Sequence, residues 1–286
     1  MKKARTYTLT ISCPDRGGIV AAVSGLLAAQ KGWILESSHH ADREAKRFFM
    51  RDEILADSLP FDIDTLREKF EPIARDFQMD WRITDSAVKK KLILMVSQQD
   101  HCLSDILQRW RSGEMDFELC AVISNHDILR SFVEWHGVPF HHVPVTTENK
   151  NTAFNDIKAL LQSYDPNVII LARYMQIFPP ELCEQFFGKI INIHHSFLPS
   201  FSGAKPYHQA FELGVKLIGA TCHYVTAELD AGPIIEQDLI RIEHSDTVED
   251  MIRLGRDIEK IVLARGLHYH LQDRVLINQR KTIVFR

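Results

Sequence analysis

Asn192 and His194 stand two residues apart in the run Ile190-Ile-Asn-Ile-His-His-Ser-Phe-Leu-Pro-Ser200. Ile190 to Ile193 has the apolar character of a buried strand that stops before Ser196 and Pro199. Side chains alternate along a strand, so Asn192 and His194 share one face and His195 takes the other. A side-chain amide can donate to an oxygen that gains negative charge, a contribution of about 3 kcal/mol in hydrolases that use one. An imidazole can pass a proton near neutral pH. The third group such a pair wants is a carboxylate. Asp230, in Glu228-Leu-Asp-Ala-Gly-Pro233, follows another β-rich run and can orient His194, stabilise its charged form or accept a proton from water. Which group takes the first proton stays open. Taken singly, the same residues have plain structural readings: a turn-forming Asn, a hydrogen-bonded His, a turn at Asp-Ala-Gly-Pro. Adjacent histidines face apart on a strand, which argues against metal pairs at His39-His40, His141-His142 and His194-His195.

The surrounding elements form two blocks. Thr6 to Ser12 alternates as a half-buried strand, and Cys13-Pro-Asp-Arg-Gly-Gly18 turns it into a helix over Ile19 to Gln30, with Asp15 at the expected N-cap and Gly32 ending it. Strands over Trp33 to His40 and Arg47 to Ile54, a helix over Ile63 to Phe77 and a strand over Met79 to Ile83 complete β-α-β-β-α-β, the ferredoxin-like plan. This block occupies residues 1–84, and the lysine-rich stretch 85–91 is a linker. Residues 92–286 alternate strand and helix as in a Rossmann-like, mostly parallel α/β sheet. The strands are Leu92 to Ser97, Phe117 to Ser124, Phe140 to Val143, Val168 to Ala172 and Ile190 to Ile193, then a pair over Ile218 to Val225 and Ile234 to Ile242. Helices are expected at Cys102 to Trp110, Ile128 to Trp135, Phe154 to Tyr164, Pro180 to Phe187, Pro206 to Leu213 and Val248 to His270, and a terminal hairpin closes the chain. A polar pair at the carboxyl end of a strand is where such sheets keep their chemistry.

Together, Asn192-Ile-His194, Ser196-Phe-Leu-Pro-Ser200 and Leu229-Asp-Ala-Gly-Pro233 resemble the folate-dependent formyltransferases. Ser97-Gln-Gln-Asp-His-Cys102, Ser124-Asn-His126, Pro139-Phe-His-His142, Leu171-Ala-Arg-Tyr-Met-Gln-Ile177 and Pro206-Tyr-His-Gln209 resemble the hydrolytic branch, the formyltetrahydrofolate deformylases, over nearly the whole chain. The resemblance implies that Asn192, His194 and Asp230 form the catalytic set and that 10-formyltetrahydrofolate is cut to formate and tetrahydrofolate, supplying formate for purine synthesis. It implies a folate site lined by Arg173, Tyr174, Met175, Gln176, Ile177 and Phe178, faced by a wall that includes His223, Val225, Glu228 and Leu229. Phe178 stands where relatives often carry Leu. Glycinamide ribonucleotide formyltransferases cradle the acceptor's phosphate on a glycine-rich loop; the matching Gln98-Gln-Asp-His-Cys102 has no glycine, and Asp100 would repel a phosphate. Water is then the remaining acceptor. The alternatives are transfer to an amine such as glycinamide ribonucleotide, or a non-catalytic folate or amino-acid sensor.

The first block resembles an ACT domain through Cys13-Pro-Asp-Arg-Gly-Gly-Ile-Val20 and Gly32-Trp-Ile34. That implies a homo-oligomer and an amino-acid effector near Asp15, Arg16, Gly17, Gly18 and Ile19, against the reading that Gly17-Gly18 serves only a tight turn.

Composition narrows the rest. The chain has 286 residues, enough for two domains that each bury a core. A net charge of −4 with no long basic run gives no support to a nucleic-acid partner. Five cysteines, odd in number and without a CxxC pair, point to reduced thiols in a cytoplasmic protein and not to a disulfide frame or zinc site. The start continues from Met1-Lys-Lys into an alternating strand and not into a leader, and no apolar run approaches membrane-spanning length. No cofactor or metal is expected beyond the folate substrate.

Overall fold

The computed structural model describes residues 4–200 and 206–286. The leader-free start read from Met1 to Lys3 lies outside them. The chain divides into two compact units.

The first unit contains β1 (Thr6–Pro14), α1 (Ile19–Ala29), β2 (Ile34–Asp42), β3 (Arg47–Leu55), α2 (Ile63–Asp76) and β4 (Asp80–Asp85). Its strands form an antiparallel sheet in the order β2-β3-β1-β4. Tyr7, Leu9 and Ile11 pack one face of β1 against Ile19, Val23 and Leu27 of α1 and Leu66 and Phe70 of α2. Three expectations are corrected. First, β1 is buried on both faces, with Thr6, Thr8 and Thr10 covered as well. The chain's end belongs to this unit, as residues Gln272–Asn278 and Ile283–Arg286. Asp273 accepts from Arg82 and Thr84, Arg274 pairs with Glu36, and Asn278 donates to Asp42. Second, Asp15 is not the cap of α1. Gly18 is, at φ 93 in the left-handed region where glycine is unstrained, and no side chain accepts from the first amides of the helix there. Third, α1 ends at Ala29, and Lys31 takes the left-handed turn. Gly32 is needed for another reason: its amide bonds the Leu27 carbonyl, and a Cβ there would sit 2.9 Å from Leu59.

The second unit carries β5 (Lys91–Val96), α3 (His101–Arg111), β6 (Glu118–Ser124), α4 (Arg130–Trp135), β7 (Phe140–His142), α5 (Lys150–Tyr164), β8 (Val168–Leu171) and α6 (Pro180–Gln185). Then come β9 (Ile190–His194), α7 (Pro206–Glu212), β10 (Leu217–Tyr224), β11 (Ile234–Arg241) and α8 (Val248–Leu271). A hairpin of β12 (Val275–Asn278) and β13 (Lys281–Val284) ends the chain. The seven-stranded sheet runs β11-β10-β9-β8-β5-β6-β7. β9, β8, β5, β6 and β7 are parallel, and β10 and β11 turn antiparallel at one edge. Helices cover a parallel sheet on both faces, which is why β5 and β8 read as unbroken apolar runs. α4 starts at Arg130, two residues later than the pattern predicts, because Arg130 first closes a turn onto the Asp127 carbonyl.

Strand order reverses between β5 and β8, so the ends of β5, β8 and β9 open on one crevice. Among the described residues no helix is long and apolar enough to cross a membrane.

α8 lies along β9, β10 and β11, where its Gly266 meets Cys222. A Cβ at Gly266 would fall 2.4 Å from the Cys222 sulfur. Gly266→Ala is expected to lower the unfolding free energy by about 1–3 kcal/mol, read as a fall in the urea midpoint. An unchanged midpoint would show that α8 can shift to make room.

Candidate active site

Asn192 and His194 come from the last turn of residues in β9, flanked by β8 on one side and β10 on the other. In the register His223 of β10 lies opposite Asn192, and Thr221 opposite His194. His223 Nδ1 is 2.9 Å from the Tyr224 carbonyl and must donate to it. Its Nε2 is therefore an acceptor, and the Asn192 amide donates to it at 3.2 Å. That bond fixes the Asn192 side chain and leaves its second N–H unused by this partner.

Asp230 sits in the loop after β10, at φ 54. Its Oδ1 lies 3.2 Å from His194 Nδ1 and 4.0 Å from His223 Nε2. The loop can place it there because Gly232 touches the backbone of β10, where an added Cβ would stand 1.8 Å from the Tyr224 oxygen. Tyr224 closes the same turn by donating its amide to the Pro233 carbonyl. Burial alone would raise the Asp230 carboxyl, but the hydrogen bond and charge of His194, with His223 and His195 behind, outweigh it and hold the carboxyl below its usual range. With Nδ1 turned to a carboxylate, the neutral imidazole of His194 presents Nε2 as an acceptor. That atom is buried and has no hydrogen-bond partner among the described residues. Amide, imidazole and carboxylate thus converge as the spacing predicts. One bare nitrogen is left to take a proton.

Residues 173–178 form the loop after β8 and divide by exposure. Met175 and Ile177 are 58% exposed each, as is Leu229 at 61% across the wall, and Gln176 is partly exposed. Tyr174 and Phe178 are core side chains packed edge to face, with Val225 against their cluster. Met175, Ile177 and Leu229 present apolar surface to solvent, and Tyr174 and Phe178 do not. The Met175 amide is not free to meet one, because it donates to Ser97 Oγ, which in turn donates to Asn125. Ser97 therefore fixes the loop. Glu228 is exposed and paired with Arg280.

The regulatory candidates lie in the first unit. Asp15 to Gly18 are exposed and Ile19 is buried. The Arg16 guanidinium bonds the Asp76 carbonyl and carboxylate and lies 4.0 Å over the Phe77 ring.

Sequence reasoning missed a second polar cluster beside the first. Glu259, on the apolar stripe of α8, is 1% exposed. It bonds His101 at 2.8 Å and the Tyr207 hydroxyl at 2.8 Å, and Arg173 Nε lies 3.5 Å away. The signal was there: a lone acid among Met251, Ile258, Val262 and Leu263 must have partners. Burial would raise Glu259, but the His101 hydrogen bond, the Arg173 charge and Tyr207 hold it below its usual range. His195 joins the clusters, its ring 5.3 Å from that of His194 and 6.0 Å from that of Tyr207. Burial first, then Arg173, presses its pKa down to about 4. Ligand atoms of His101, Cys102 and Glu259 lie within 4.8 Å of one another. The set does not suit a cation, because both Glu259 oxygens are engaged, Arg173 is adjacent, and burial keeps the Cys102 thiol protonated.

The family model described as formyl transferase matches residues 90–267. A formyltetrahydrofolate deformylase of a Synechocystis strain is 46% identical over 98% of each chain. The crystal structure of a formyltetrahydrofolate deformylase from Pseudomonas syringae pv. tomato superposes with a TM-score of 0.99 at 60% identity, covering 100% of this chain and 96% of that one. Glycinamide ribonucleotide transformylase 1 from Symbiobacterium toebii gives a TM-score of 0.65 at 28% identity, covering 69% of this chain and 95% of that one.

His195 and His223 both have pKa values lowered by burial. Each therefore takes up protons more readily unfolded than folded, and stability falls as pH drops from 6.5 towards about 4. The Asp230 contribution is present above its ordinary 3.8 and is lost only below it. His195→Asn is expected to flatten the loss between pH 6.5 and 4 by about 1–3 kcal/mol in urea unfolding. A variant with the wild-type slope would show that His195 is not held neutral by burial.

Proposed function

Because the chain belongs to the formyl transferase family and, within it, to the formyltetrahydrofolate deformylases, we propose that it hydrolyses 10-formyltetrahydrofolate to formate and tetrahydrofolate. The observation that carries this reading is the buried, unpartnered Nε2 of His194, aimed by Asp230 and neighboured by Asn192. In the proposed course His194 Nε2 takes a proton from water as its oxygen joins the formyl carbon. The formyl oxygen gains charge and is met by the second N–H of Asn192. Asp230 stabilises the imidazolium. His194 then returns the proton to the departing nitrogen as the C–N bond breaks, and the carboxylic acid loses its own proton to leave as formate.

The folate ring is proposed to lie between Met175 and Ile177 on one side and the Val225 to Leu229 segment on the other, with Gln176 at its edge. Exposed apolar side chains on two loops, one of them pinned through Ser97, support that placement. The product formate would feed purine synthesis and draw down one-carbon folate.

The first unit is proposed to be an ACT-type regulatory and assembly module. Its strand order supports this, as does the edge position of β2, which follows the exposed Trp33 and carries the exposed Leu35 near its start. An amino-acid effector would bind near Asp15 to Ile19, and the protein would act as a homo-oligomer. Five free thiols support a reducing, cytoplasmic setting.

Formate released from 10-formyltetrahydrofolate by the purified chain, with no amine added, is the expected result; no turnover would remove the proposal. Asp230→Asn should lower kcat by roughly 10²–10⁴-fold. Asn192→Ala should lower it by about 10²–10³-fold. Folate binding should persist in both, and a variant that keeps wild-type kcat would take that residue out of the reaction.

A further inference from the structure

The Arg173 side chain is not used by the mechanism proposed above, yet it is only 8% exposed, and two of its nitrogens, Nε and Nη1, have no hydrogen-bond partner among the described residues. Buried guanidinium N–H groups left without partners are rare, because each has given up water for nothing. The backbone adds to the anomaly. Arg173 sits at φ 63, in the left-handed region that favours glycine, and holds an arginine there. Its position is specific. β8 ends at Leu171, opposite Asn192 on β9, and Arg173 follows two residues on. Its charge reaches His195, whose ring adjoins that of His194. Glu259 lies to one side of the guanidinium at 3.5 Å and fixes it there. Glu259 already accepts from His101 and Tyr207, and among the described residues Arg173 Nη1 meets no acceptor.

A buried cation with a spare, fixed donor is a receptor for a small anion, and a carboxylate oxygen suits the Nη1 donor. Resting on the deformylase reading, the only anion created at this point is the one-carbon carboxylate. Water's oxygen is added to the formyl carbon, the C–N bond opens, the nitrogen keeps the returned proton and the acid sheds its own. We infer that Arg173 is a docking point for the released formate, a subsite next to the Asn192–His194–Asp230 set and separate from the folate slot.

The test uses the full-length protein and ¹³C-labelled sodium formate without folate, titrated while the formate line width is followed by NMR. Chloride at matched ionic strength serves as control. Wild type should bind formate saturably. Arg173→Lys, which keeps the charge but moves the donor, should bind roughly ten-fold more weakly. Arg173→Gly, whose backbone suits φ 63, should show no saturable binding with the fold intact by circular dichroism. If the glycine variant does not fold, the lysine variant decides. Equal formate affinity in wild type and variants, or none in wild type, would overturn the inference and leave ordered water as the partner of Arg173. Formate release from 10-formyltetrahydrofolate is measured separately on wild type. Turnover without Arg173-dependent formate binding defeats this subsite alone, and absent turnover defeats the reading beneath it.

Discussion

The hydrogen bond between Asp230 and the Nδ1 of His194 is the constraint on which the site depends. It joins a residue on β9 to one in the loop beyond β10, so both strands and the turn after them must be in register for it to exist. The antiparallel pairing supplies that register, and the close approach of Gly232 to the Tyr224 carbonyl brings the loop back over β9. Once formed, the bond keeps the carboxylate ionised against the pull of burial and leaves the far nitrogen of the imidazole uncommitted. A single carboxylate thus sets charge, orientation and tautomer together.

The same economy runs through the neighbouring groups. His223 uses one nitrogen to bond backbone and the other to hold Asn192, so the amide is aimed without touching the reacting face. Ser97 ends β5 and fixes the loop that follows β8. The Ser97 bond crosses the point where strand order reverses, the place in an open sheet where loops from both directions splay apart and leave room for a ligand. Behind them, Glu259 gathers His101, Tyr207 and Arg173 from three other elements, which locks the rear of the crevice with a buried anion.

Local patterns made much of this legible. The alternation of Asn192 and His194 and the turn chemistry around Asp230 were readable because period and turn residues are short-range properties. Apolar runs exposed β5, β8 and β9 for the same reason. What escaped depended on residues far apart in the chain. Nothing near Thr6, Thr8 or Thr10 announces that they are buried, or that Gln272–Asn278 returns to the first unit. Asp15 had the right chemistry for a cap, but the left-handed turn at Gly18 moved the helix start beyond its reach. Glu259 carried a signal in its apolar stripe, and only the fold could name its partners.

The most direct measurement is the tautomer of His194 by ¹⁵N-histidine NMR on the native protein near neutral pH. The neutral ring should carry its proton on Nδ1, with a downfield-shifted signal that disappears when Asp230 is replaced by alanine. A proton on Nε2, or a spectrum indifferent to the loss of Asp230, would contradict the arrangement from which the chemistry is built.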